Sequence, residues 1–181
     1  MNSQGMAVAS DDTIASALRS GAHVVYSLSG GKDSSAAAFA VEAHLDRIGH
    51  PRDRRHAIHA DLGLIEWPST PGFVETIAAM LGVDLSIVRR KAGGLIQRWE
   101  QRWQSSLRRY ENLETYQLVS PFSSAKLRFC TGEAKVQPIG AELRKRFAGE
   151  TIISIVGIRR EESPARAKAP ISKPDLRFAP V

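Results

Sequence analysis

Apolar residues follow two different periods along this chain. Short runs rich in β-branched and aromatic side chains alternate with longer stretches in which apolar residues recur every three or four positions. The run at 23–28, opening His23-Val24-Val25-Tyr26, is predicted to be a buried strand, and 56–62, 85–88 and 151–156 read the same way. Ser10, Asp11 and Asp12 open a helix through Leu18, with Ile14, Ala17 and Leu18 on its apolar side and Gly21 beyond its end. A second helix runs from Asp33 to Ile48, with Phe39, Val41, Leu45 and Ile48 as apolar positions. A third begins at Thr70-Pro71 and stops at Gly82, its core face given by Phe73, Ile77, Met80 and Leu81. Residues 92–118 are mostly helical in pattern, and 132–147 hold another helix, interrupted near Pro138. Strands alternating with helices across short turns predict an α/β fold. The expected architecture is a Rossmann-like parallel sheet of about five strands with helices on both faces. Ligands of such sheets sit beyond the carboxyl ends of the strands.

One such end carries the densest chemistry. Residues 27–35 read Ser-Leu-Ser-Gly-Gly-Lys-Asp-Ser-Ser, between the first strand and the second helix. Gly30 and Gly31 permit a tight turn and close approach to a ligand. Ser27, Ser29, Ser34 and Ser35 supply hydroxyls, Lys32 a positive charge, and the helix start at Asp33 free amides for an anion. A Walker loop would have Ser or Thr after the Lys, where Asp33 stands, and a dinucleotide Gly-x-Gly-x-x-Gly pattern is missing. A capped turn without ligand is the plainer alternative, but it needs neither Lys32 nor so many hydroxyls.

The loop resembles the PP-loop, the pyrophosphate-binding Ser-x-Gly-Gly-x-Asp-Ser signature of the ATP pyrophosphatase (adenine nucleotide alpha hydrolase-like) superfamily. Further blocks narrow the resemblance: His-Ala-Asp-Leu-Gly at 59–63, Glu66-Trp67-Pro68, and Gly-Ile-Arg-Arg-Glu-Glu-Ser-Pro-Ala-Arg at 157–166. The last is similar to the Gly-x-Arg-x-x-x-Ser-x-x-Arg segment of the phosphoadenosine phosphosulfate (PAPS) reductase family. The order of blocks is also that family's, over about residues 10–170. The resemblance implies ATP or a PAPS-type adenine nucleotide with Mg2+, and a catalytic set of Lys32, Asp33 and Arg159. In that reading Gly157 lies against the adenine, and Arg159 and Arg166 fork onto phosphate or sulfate oxygens. Glu162 either orients one of those arginines or opens a helix. Asp61 holds a ribose hydroxyl or a magnesium ion, or only bonds the turn after its strand.

Arg128-Phe129-Cys130-Thr131, followed by Lys135 and Pro138, is similar to a stretch in members that handle ATP and sulfur, including those resembling DNA phosphorothioation enzymes. Arg128 and Lys135 would add charge where the leaving group gathers. Cys130 is the single cysteine, so neither an internal disulfide nor, from this chain alone, an iron–sulfur cluster is expected. The Glu-Cys-Gly segment of the family's reductases does not occur. His56 and His59 point to opposite faces of a strand, which argues against a metal site there.

Composition refines this picture modestly. The chain of 181 residues, 43% apolar, suits one domain, expected as a nucleotide-binding unit over 10–163. A loose end at 1–9 precedes it, and a proline-dotted stretch at 164–181 is expected to start a further C-terminal region. No apolar run approaches the roughly 20 residues of a membrane span, and no secretory pattern opens the chain, so a cytoplasmic location is expected. Net charge is +6, concentrated in Arg89, Arg90, Lys91, Arg98, Arg102, Arg108 and Arg109, interleaved with Trp99, Trp103 and Tyr110. That stretch is either a nucleic-acid surface or a solvated helix face with tryptophans packed inward. The expected activity is cleavage of the α–β phosphate bond to adenylate a substrate for sulfur transfer. Alternatives are a PAPS or adenylylsulfate reductase with its cysteine on a further segment and a thioredoxin-like reductant, or a non-catalytic nucleotide- or nucleic-acid-binding module.

Overall fold

A computed structural model describes residues 8–124 and 129–175. Along the chain run α1 (Asp12–Arg19), β1 (His23–Ser27), α2 (Lys32–Arg47), β2 (Arg55–Ala60), α3 (Thr70–Leu81), β3 (Asp84–Val88) and α4 (Leu95–Glu111). The short α5 (Phe129–Thr131) leads through a π turn (Gly132–Val136) into α6 (Gln137–Arg146), then β4 (Ile152–Val156) and α7 (Pro164–Ala167). Among the described residues the sheet has four strands, close to the five or so expected, in the order β3-β2-β1-β4, all parallel. Between β1 and β4 the strand order reverses, and there the crevice of an open α/β sheet lies.

Helix boundaries follow local chemistry. Asp11 caps α1 by accepting the Ile14 amide at 2.9 Å. Gly82 ends α3 in the left-handed region, φ 68°, where glycine meets no Cβ strain. Side-chain alternation along β1 splits the core. Val24 and Tyr26 face Ala38, Leu45, Val74 and Ile77 of α2 and α3, while Val25 faces Ile58, Leu143 and Phe147 on the α6 side. Two expected core faces shift. In α3 the buried stripe is Val74, Ile77, Ala78 and Leu81, a strict i, i+3, i+4, i+7 row, which leaves Phe73 and Met80 exposed. In α2, Ile48 is the C-cap and half exposed, whereas Glu42 is buried.

Glu42 anchors a buried polar network. It accepts from the Tyr26 hydroxyl, from Arg55 at 2.6 Å and from Arg52 at 2.7 Å. Arg55, its side chain 1% exposed, also donates to Asp46 at 2.6 Å and to the His50 carbonyl. Burial alone would lower the Arg55 pKa, but the Asp46 and Glu42 hydrogen bonds outweigh it and raise it. Burial, then the Glu42 hydrogen bond, pushes the Tyr26 phenol well up.

At the amino edge of the sheet His23, His56 and Phe147 stack, with Phe147 centroids 4.4 and 4.8 Å from the two imidazoles. Arg146 has only donors, so His56 Nδ1 accepts from it at 3.4 Å, and His56 Nε2 then donates to His23 Nδ1 at 3.1 Å. Burial, then the Arg146 charge, lowers the His56 pKa from 6.5 to about 4.

Two outcomes are expected. Glu42→Leu leaves the buried Arg55 charge with Asp46 as its sole carboxylate partner and the Tyr26 hydroxyl without its acceptor, and lowers unfolding free energy by about 2–4 kcal/mol in a denaturant titration. Because the folded pKa of His56 lies below its unfolded value, its neutral form stabilises fully above pH ~6.5. That contribution is lost as pH falls toward about 4, at roughly 1.4 kcal/mol per pH unit. Thermal midpoints across this window should fall less steeply in His56→Gln.

Candidate functional site

The turn joining β1 to α2 is fixed by its own side chains. Gly30 has φ +73°, and a Cβ there would lie 2.6 Å from Thr70 Cγ2 at the start of α3. Ser34 Oγ accepts from the Ser29 amide and the Ser29 hydroxyl, each at 3.1 Å, and donates to the Gly31 carbonyl at 2.9 Å. Ser35 donates to the same carbonyl at 3.2 Å. Both serines are buried, so their hydroxyls brace the turn, whereas Ser29 and Lys32 stand exposed. Ser27, at the end of β1, is half-buried below them. Gly31 caps α2 without a side-chain acceptor, which leaves the first-turn amides of this helix open to an anion.

The end of β4 closes on this turn. A Cβ on Gly157 would fall 2.5 Å from the Ser34 nitrogen and 2.7 Å from the Asp33 carbonyl carbon. The backbone of α2 is therefore what this glycine admits, a neighbour that no local pattern in the sequence gives it. Two residues on, Arg159 Nε is 3.6 Å from Asp33 Oδ2, and Arg159 also donates to Glu162 at 3.2 Å. Arg166 pairs with the same Glu162. Ser163 caps α7 by accepting the Arg166 amide at 3.3 Å, which presents Arg166 toward that carboxylate. Glu162 thus serves both arginines.

Beyond β2 and β3, Asp61 accepts the Gly63 amide at 2.7 Å and Arg89 Nε at 2.7 Å. Burial raises its pKa, but the Gly63 amide and the Arg89 guanidinium prevail and hold it below the ordinary carboxylate range. Next to it, His59 is 1% exposed, with Nδ1 2.8 Å from the Leu28 carbonyl and Nε2 3.3 Å from Glu66 Oε2. A groove of about 830 Å³ opens here between the segments after β2 and β3, with Asp61, Glu66, Trp67, Arg89 and Leu95 on its walls.

Residues 23–180 match the phosphoadenosine phosphosulfate reductase domain. The chain belongs to this family. The family lies in the PP-loop ATP pyrophosphatase superfamily, and the function is adenylyl-nucleotide-related at the level of the family. A comparison with curated proteins gives no match.

In this PAPS reductase-family chain the described part of the Arg-x-Cys-Thr block leads through the π turn into α6. Arg128 lies outside the described residues. Cys130 is half-buried in α5 and Lys135 exposed in the π turn. Among the described residues no hydrogen bond or ion pair joins either to residues 29–35. Glu133, between them, takes Arg98 at 2.7 Å and Arg90 at 3.4 Å, and Ala134 reaches the groove wall. The basic stretch is largely paired within the chain. Arg89 meets Asp61, Arg98 and Arg102 each lie 5.2 Å from the Phe129 ring, and Arg109 meets Glu114. Trp99 packs edge-on against Phe122. No helix among the described residues is long and apolar enough to cross a membrane.

Sequence reasoning overlooked His59, Glu66 and Arg89 as neighbours of the site. A histidine inside a strand buried at every position was the available signal, since both of its nitrogens then need partners. Gly157→Ala should destabilise the fold by about 1–3 kcal/mol through overpacking against α2. Gly72→Ala, which meets nothing within 4 Å in α3, should be neutral or gain up to ~1 kcal/mol. Parallel thermal melts of the two variants check this contrast.

Proposed function

We propose that this chain binds ATP or a related adenylyl nucleotide with its phosphates in the PP-loop and cleaves the α–β bond, adenylating an acceptor for sulfur transfer. The observation that carries this reading is the junction of two motifs far apart in sequence: Gly157 lies on the backbone of Asp33 and Ser34, and Arg159 reaches Asp33 at 3.6 Å. A phosphate chain in the turn would meet the open amides of α2, the Lys32 ammonium and the Arg159 guanidinium together. Among the described residues Lys32 makes no ion pair or hydrogen bond, which leaves it available to oxygen ligands.

An acceptor oxygen attacks the α-phosphorus, the bond to the bridging oxygen breaks, and pyrophosphate leaves with the electron pair. Lys32 and Arg159 act on charge that grows on the non-bridging and leaving oxygens, an effect strongest where donors are already in place. Magnesium in nucleotide sites is held mainly by phosphate oxygens and water, and Asp33, 38% exposed at the rim of the turn, is the carboxylate that would face it. Bound, the ion would neutralise phosphate charge. Reduction of an adenylyl sulfate would instead require a thiolate at the site; among the described residues Cys130 makes no hydrogen bond or ion pair to the turn.

Wild-type protein should bind magnesium-ATP calorimetrically and release pyrophosphate from it. Lys32→Ala and Arg159→Ala should each slow release by about 10²–10³-fold. Sulfite formed from PAPS with thioredoxin, in the absence of pyrophosphate release, would overturn this assignment in favour of reduction.

A further inference from the structure

Resting on that reading, we propose that the groove between the β2–α3 and β3–α4 segments holds the acceptor, and that Glu66, seated by the buried His59, takes the acceptor's proton.

The groove reaches toward the PP-loop through Thr70, which lies between its wall residues Pro68 and Pro71. Thr70 is the residue that a Gly30 Cβ would strike at 2.6 Å. Its volume of about 830 Å³ falls among sites that enclose small organic molecules. Trp67, Pro68, Leu95 and Ile96 give it an apolar wall, suited to a small acceptor with an apolar or planar body that presents a hydroxyl.

A buried proton marks one end of this groove. The Leu28 carbonyl can only accept, so His59 Nδ1 donates to it at 2.8 Å. The other nitrogen, Nε2, faces Glu66 Oε2 at 3.3 Å, and neither atom has any other hydrogen-bond partner. Two bare acceptors buried face to face would repel, so a proton belongs between them. With that proton on Nε2, the ring donates from both nitrogens and Glu66 keeps a carboxylate. The other charged groups on the groove are otherwise engaged or lie on its rim. Asp61 holds Gly63 and Arg89, Arg90 pairs with Glu133, and Lys91 and Glu100 are exposed. Glu66 therefore combines a groove position with a fixed seat one imidazole away from the residue that enters the PP-loop.

The proton balance is simple. As the acceptor oxygen bonds to the α-phosphorus, its proton passes to Glu66, and the leaving pyrophosphate carries the electron pair of the broken bond. The proton then leaves to solvent. Glu66 is the catalytic residue in this step, and His59 is a positioning residue.

The test uses magnesium-ATP with water as acceptor. Glu66→Gln should retain the wild-type ATP Kd and melting temperature but lower kcat for pyrophosphate release by about 10²-fold or more. His59→Asn, which keeps a donor for Leu28 but not for Glu66, should lower kcat with KM for ATP unchanged. Formate should restore part of kcat in Glu66→Ala. In wild-type protein, ¹⁵N spectra of the His59 ring should show protons on both nitrogens, a readout independent of any variant's folding. A bare Nε2, or a Glu66→Gln variant with wild-type kcat, overturns the groove assignment alone. Failure of the wild-type protein to release pyrophosphate overturns it together with the adenylation reading.

Discussion

The start of α2 lies so close to the end of β4 that a side chain on Gly157 would overlap backbone atoms of Asp33 and Ser34. The rest of the site depends on this approach. It fixes where the helix amides point, brings the β4 loop over the PP-loop, and sets Arg159 within reach of Asp33. The parallel strand order β2-β1-β4 makes the approach available, because the crevice opens where the connections from β1 leave in one direction and β4 lies on the other side.

The two edges of the sheet divide the work. At the amino edge, buried charges and rings are paired: Glu42 with Tyr26, Arg52 and Arg55, and His56 with His23 and Arg146. At the carboxyl edge, polar groups are positioned but less fully satisfied. Lys32 is exposed, the first-turn amides of α2 have no side-chain cap, and His59 Nε2 and Glu66 Oε2 face each other at 3.3 Å with no other partner. A scaffold whose charges are satisfied at one end can hold unsatisfied donors at the other without losing its fold.

Most of the fold was legible because its signals are local. Gly82 after α3, Asp11 before α1 and the β-branched runs of β1 and β4 each impose a conformation on their own segment. The β1–α2 turn was legible for the same reason. What escaped the sequence depends on pairings across space. Glu42 reads as a solvated helix position until Arg55, thirteen residues on, is seen buried against it. Phe73 and Met80 look like core residues because they are large, yet Val74 and Ala78 occupy the buried stripe of α3. Gly157 reads in sequence as lying against an adenine, and its contact with α2 is a pairing across space that no local pattern gives. Asp61, open to several roles in sequence, has a partner from the neighbouring strand end, Arg89, that no spacing rule would give.

Glu162 has one more consequence. A single carboxylate shared by Arg159 and Arg166 is a resident rival for every incoming oxyanion. A guest must displace or re-share this internal counterion, so the site sets a threshold for entry. Monovalent and small anions, which offer the arginines no more than Glu162 already does, gain little by entering. A polyphosphate, multiply charged and long enough to engage the helix amides and both guanidiniums at once, would exceed the threshold. Selectivity against the abundant simple anions of a cell would then arise from the competition itself.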